Sequence, residues 1–169
     1  MIRIIGIGSP FGDDGAGLEA ARQLAVSPPS GCEIVAADRP GLGLIELFAG
    51  AEAVILIDAT RSGAPAGTLH DLSLRRLARR APTPASSHAF GVAAALQLAE
   101  QLGRGPTRGR VLGVEIAHPA GRIPDTLTAP VHRGVARAVR RARWWADRLE
   151  AQRSHRAKRA ASSAANPTV

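Results

Sequence analysis

The sequence contains a single cysteine, Cys32, and no CxxC pair. An internal disulfide is therefore excluded, as are the thiolate zinc sites and dithiol redox reactions that need paired cysteines. A reducing cytoplasm is the compartment that suits this composition. Aromatic residues are almost as scarce, with three Phe, two Trp and no Tyr. The core must then be built from Val, Ile, Leu and Ala, side chains suited to the layers of an α/β sandwich. Long apolar runs are missing too. The first run, Ile2 to Ile7, is only a strand's length and follows no basic leader, so neither an export signal nor a membrane span is expected.

Acidic residues run short only in one part of the chain. Met1 to Gly103 carries 8 Arg and 10 acids, a net −2, whereas Arg104 to Val169 carries 14 Lys plus Arg against 4 acids, a net +10. The overall charge of +8 and the pI near 11.5 thus belong to the C-terminal part. A nucleic-acid-binding protein would carry its basic residues on the ordered domain with aromatics among them, and no nucleic-acid partner is expected here. A basic run of this kind is a solvated face that can steer an acidic partner.

The chain, 169 residues with 45% hydrophobic content, is long enough for one well-buried domain. Ile2 to Gly8 reads as a buried strand running into a glycine-rich turn, and Leu18 to Val26 as the helix that follows. Cys32 to Ala37 is a second strand, Leu42 to Ala49 has helical spacing after Pro40 and Gly41, and Ala53 to Ala59 is a third strand. Thr68 to Leu72 follows turn residues as an edge or hairpin strand, and Leu74 to Arg80 is a short basic segment. After the proline-rich stretch Ala81 to Ser87, the pattern predicts a helix over His88 to Leu102, a strand over Arg110 to Ile116 and a helix from about Thr128 to Glu150. Ala151 to Val169 lacks apolar periodicity and is expected to be a disordered basic tail behind a domain of residues 1–150. Alternating strands and helices imply a three-layer α/β/α sandwich around a twisted, mainly parallel sheet.

Ligands of open α/β sheets gather beyond the carboxyl ends of the strands. Three polar residues fall there: Asp14 in the loop after the first strand, Asp58 closing Val54-Ile-Leu-Ile-Asp58, and His88 opening a helix after Ser86 and Ser87. Each alone has a plain structural explanation. Asp58 can cap the next segment, His88 can sit near a helix start, and Asp13 and Asp14 can favour the positive end of the next helix. Together, two carboxylates and an imidazole suit a borderline divalent metal with open coordination positions. A nucleotide site is disfavoured. The third glycine of GxGxxG would fall at Phe11, the Walker Gly-Lys-Ser/Thr is absent, and Asp13 and Asp14 would face the phosphate.

Three ordered motifs are more specific: Gly6-Ile-Gly-Ser-Pro-Phe-Gly-Asp-Asp-Gly-Ala-Gly17, Ile55-Leu-Ile-Asp-Ala59 and Ser86-Ser-His-Ala-Phe-Gly91, with Val111-Leu-Gly-Val-Glu-Ile116 as a late strand. Through them the chain resembles the nickel-iron hydrogenase maturation protease family over roughly its first nine-tenths. It departs from the family pattern in having Ser9 for the usual Asn, a first loop one residue shorter, and Arg39-Pro40 in a more glycine-rich position. The resemblance implies an α/β/α fold with a five-stranded sheet. It also implies an endopeptidase that removes the C-terminal extension from a nickel-loaded hydrogenase large-subunit precursor. Asp14, Asp58 and His88 would be the nickel-binding residues, with the nickel presented by the precursor. Asp38 is implied as a substrate-site candidate and, with those three, as a candidate catalytic residue. Asp13 would replace Asp14 if the loop register differs by one. A non-proteolytic nickel-recognition or assembly module for the same precursor is the alternative.

The other histidines, His70, His118, His132 and His155, lack paired ligand spacing and read as surface or structural residues. Trp144 and Trp145 are adjacent on a helix and point in different directions, so one of them is expected to dock on the sheet.

Overall fold

A computed structural model describes residues 1–78, 87–117 and 125–164, with the side chains of 78, 87–90 and 158–164 outside the description. The strands are β1 (Ile2–Gly8), β2 (Cys32–Asp38), β3 (Ala53–Thr60), β4 (Leu69–Ser73) and β5 (Arg108–Glu115). The helices are α1 (Ala16–Val26), α2 (Leu74–Ala78), α3 (Ser87–Gln101) and α4 (Ala129–Ala164). Two 3-10 segments, Gly12–Gly15 and Gly41–Phe48, lie in the connections.

The five strands form one sheet in the order β2-β1-β3-β5-β4. β1, β2, β3 and β5 run parallel, and only the edge strand β4 is antiparallel, paired with β5. β1 and β3 are central, and their near-continuous apolar sequences are buried on both faces as a covered parallel sheet requires. On one face Ile4, Ile55 and Leu112 pack with Leu24 of α1 and with Val135, Ala138 and Ala142 of α4. On the other, Ile5, Leu56 and Val111 pack with Leu44, Ile45 and Phe48 of the 3-10 segment and with Leu77 and Leu96 of α2 and α3. The three layers expected from the alternation of elements are therefore present. Among the described residues, no helix is long and apolar enough to cross a membrane.

Two glycines set how closely α1 lies on the sheet. A Cβ on Gly17 would fall 2.1 Å from the Ile7 carbonyl oxygen and 2.3 Å from that of Ile57, and one on Gly6 would fall 2.0 Å from the Gly17 carbonyl oxygen. The helix backbone thus sits directly over β1 and β3, which fixes the loop between them against the strand ends.

α4 differs from the expectation. The helix does not stop near Glu150 but continues to Ala164, so residues 151–164 are helical and not a disordered tail. An established helix adds residues without a new nucleation step, and Ala, Arg, Gln and Lys extend it on propensity alone. The missing apolar periodicity correctly foretold exposure: six of the seven residues from Ala151 to Ala157 are exposed. Trp145 docks as expected, half-buried, its Nε1–H donating to Asp71 Oδ2 at 2.9 Å, while Trp144 stays 45% exposed. Arg110 and Arg141 also donate to Asp71, which ties α4 to the antiparallel edge of the sheet.

Candidate active site

The parallel strands end together, so Gly8, Asp38 and Asp58 reach the same edge of the sheet, with Gly8 and Asp38 directly opposite in register. The first loop folds back over this edge. The Ser9 N–H donates to the Asp14 carbonyl oxygen at 3.3 Å, and a Cβ on Gly8 would lie 2.2 Å from that oxygen, so only glycine admits this path.

Asp58 is the central group. It is 6% exposed and accepts one hydrogen bond, from the Ala59 N–H to Oδ1 at 2.8 Å. Burial pushes its carboxyl up to about 8, the Ala59 hydrogen bond offsets part of the rise, and the neighbouring negative charge of Asp14 adds to it. The same electrostatic coupling shows that the structure brings Asp14 and Asp58 together despite their separation in sequence. Asp58 opens into a cleft of about 250 Å³, lined also by Ile7, Arg39, Leu44, Gly91 and Val92.

Gly91 and Val92 come from the first turns of α3. Position 88 is three and four residues before them, on the same helical face by spacing. The His88 side chain itself lies outside the described residues, as do Ser86 and His118. Among the described residues, no three His, Cys, Asp or Glu side chains are grouped to hold a metal ion.

The remaining candidates are placed differently. Asp38 does not line the cleft. It is half exposed and held by Arg39, whose Nε donates to Oδ1 at 2.7 Å and Nη2 to Oδ2 at 3.2 Å. That hydrogen-bonded guanidinium keeps the Asp38 carboxyl below the usual carboxylate range. Asp13 is committed elsewhere: its two oxygens accept from the Thr128 N–H at 2.6 Å and the Thr128 hydroxyl at 2.9 Å, immediately before α4. An acid at that helix start also suits the positive end of its dipole.

Sequence reasoning gave Arg39 no role. It lines the cleft beside Asp58, its guanidinium feels the charge of Asp14, and its φ of 42° is the only positive value at a non-glycine residue among those described. The one available signal was its substitution into a glycine-rich motif position, where a left-handed backbone is expected. Glu115 was also missed. It ends β5 at 1% exposure and accepts from the Ser62 N–H at 2.6 Å, the Ser62 hydroxyl at 2.8 Å and the Gly63 N–H at 2.9 Å, with His70 Nε2 at 2.9 Å. Burial raises its carboxyl, but the hydrogen bonds from Ser62 and its neighbours prevail and lower it. This group fastens the loop after β3 to β5, which gives His70 the structural role expected of it.

No protein-family model matches the chain, and no curated protein matches it significantly. Solved structures do share its fold. The hydrogenase maturating endopeptidase HybD from E. coli superposes with a TM-score of 0.72 and 23% identity, covering 83% of this chain and 88% of that one. The NiFe hydrogenase maturation protease HybD from Thermococcus kodakarensis does so with a TM-score of 0.64 and 24% identity, covering 86% and 98%. A NiFe hydrogenase maturation protease HycI from the same organism gives 0.63 and 21%, covering 88% and 92%. At these identities the likeness establishes the α/β/α fold and its five-stranded sheet.

Proposed function

We propose that this protein is an endopeptidase that removes the C-terminal extension from the nickel-loaded large-subunit precursor of a nickel-iron hydrogenase. The observation that carries this reading is the buried Asp58 carboxylate at the end of β3. It opens into a cleft, coupled to Asp14, within a fold shared with solved hydrogenase maturation proteases. Nickel is treated as part of the substrate. Asp14, Asp58 and His88 complete the coordination of the metal that the precursor carries, since carboxylate and imidazole ligands suit a borderline cation. Asp58, protonated in the free protein, releases its proton as the cation arrives. Anchoring the metal-bearing segment holds the scissile peptide next to a polarised water or carbonyl. Removal of the extension then depends on metal insertion, and the protein acts as a checkpoint. A cytoplasmic site of action is part of the proposal, supported by the single half-buried thiol of Cys32.

The test is incubation with metal-loaded and metal-free precursor, read by intact mass. The loaded precursor should lose its extension and the metal-free one should scarcely change. Asp58→Ala and His88→Ala should abolish cleavage while leaving the fold largely intact, because both positions are at strand or helix ends. Equal cleavage of both precursors, or full activity in both variants, would overturn the proposal. Metal-dependent binding without loss of mass would instead identify a non-proteolytic assembly module.

A further inference from the structure

A second concave surface lies at the opposite edge of the sheet from Asp58. β5 begins there at Arg108, in register with Ala53, and Asp58 is five residues farther along β3, roughly 16 Å away at the rise of a strand. A cleft of about 740 Å³ opens between this edge and the distal part of α4. Its cationic lining comprises Arg75, Arg108, Arg148, His155 and Arg156. On α4, Arg148, Gln152, His155 and Arg156 recur at i, i+4, i+7 and i+8, so a single stripe of the helix faces the cleft.

What sets these cations apart is their lack of counterions. Arg3, Arg22, Arg104, Arg110, Arg141 and Arg153 all meet a carboxylate. Among the described residues, Arg75, Arg148 and Arg156 meet none. Arg148 lies over the Trp144 ring, and Arg108 contacts only the Gln152 amide oxygen, at 3.4 Å, while acting on Glu52 through space. Like charges facing one concave surface raise its potential and favour an anion there. An adjoining cleft of about 600 Å³ shares Arg75, Arg108 and Gln152 and has Leu74, Leu96, Trp145 and Leu149 in its floor.

We infer that this double cleft is a docking site for an acidic, amphipathic peptide segment of a partner protein. The carboxylates would meet the arginine rim and the apolar side chains the leucine-lined floor. Nucleic acid fits less well. The exposed Trp144 indole is covered by Arg141 at 4.5 Å and Arg148 at 5.4 Å, which leaves bases no open stacking face, and a phosphate backbone has nothing to offer the apolar floor. The inference stands apart from the cleavage proposal, because it concerns the other edge of the sheet and is read by binding alone.

Fluorescence anisotropy with a labelled peptide of alternating Glu and Leu tests it on the full chain. The pair R148E and R156E should weaken binding by about tenfold or more, because both rim cations on α4 are reversed. The control pair R133E and R140E, equally exposed but farther toward the start of the same helix, should change affinity by about twofold or less. Thermal unfolding of both variants verifies that the fold is retained. Equal weakening by the two pairs, no binding by the unaltered protein, or tighter binding of a DNA duplex of matched charge would overturn the inference.

Discussion

Asp58 is held where a carboxylate is least stable, and that has a measurable consequence in the free protein. Its folded-state carboxyl lies at about 8 against an ordinary 3.8, so the folded chain keeps a proton that the unfolded chain gives up. Where the native state binds more protons, stability falls as pH rises. The contribution is complete below about pH 4 and is lost progressively up to about pH 8. Asp58→Asn keeps an oxygen for the Ala59 N–H and cannot ionise, so it should escape this loss. Urea unfolding of the variant should match the parent near pH 4 and exceed it near pH 8 by on the order of 2 kcal/mol. A gap that does not widen with pH would show that Asp58 is solvated in the folded state. Arg39 shows the same concentration of strain at the cleft, since a left-handed backbone at an arginine costs about 1 kcal/mol and persists only where neighbouring contacts impose it.

Among the elements, α4 is the most divided. Its first part is a core helix, with Val131, Val135, Ala138, Ala142 and Ala146 buried at helical spacing, and its last part projects with little to cover it. Helical propensity maintains the second part, while packing maintains the first. Truncation after Glu150 should therefore remove ellipticity at 222 nm in proportion to the lost residues 151–164, yet leave a single cooperative unfolding transition. The contact most affected is the ion pair of Arg153 with Glu150, an exposed type worth less than about 1 kcal/mol. Unchanged ellipticity would mean that the extension is not helical in solution. Loss of cooperativity would mean that it supports the core.

For the whole molecule, the sheet separates two cores that share no side chain. Leu24 of α1 belongs to the core under α1 and α4, and Ile45 to the core under α2 and α3. Leu24→Ala should cost about 2–5 kcal/mol and Ile45→Val about 0.5–1.5 kcal/mol. Because the central strands lie between the two sites, the double variant should equal their sum within about 0.5 kcal/mol. Denaturant midpoints at constant m-value check this. A clear departure from additivity would show that the sheet transmits strain from one layer to the other.

Much of this protein is written in local pattern. Continuous apolar runs mark β1 and β3 as buried parallel strands, helical recurrence marks α1, α3 and α4, and the strand-to-loop transitions put Asp14 and Asp58 at one edge. Period and turn chemistry are local properties, so they can be read without tertiary contacts. Other features required the assembled fold. The antiparallel edge came from β5 inserting between β3 and β4, a pairing that no short-range signal encodes. The division of labour in Asp13-Asp14 turned on Thr128, which lies far along the chain and becomes a neighbour only when α4 packs on the sheet. Arg39 entered the cleft because the loop after β2 turns through a left-handed residue beside Asp58, and its sequence neighbours record neither the turn nor that neighbour. The sequence by itself determined which elements form and which residues end them. Which of those ends meet, and which carboxylate is stripped of water, depended on the sheet order and the helices packed over it, because desolvation is a property of the assembled layers and not of any one segment.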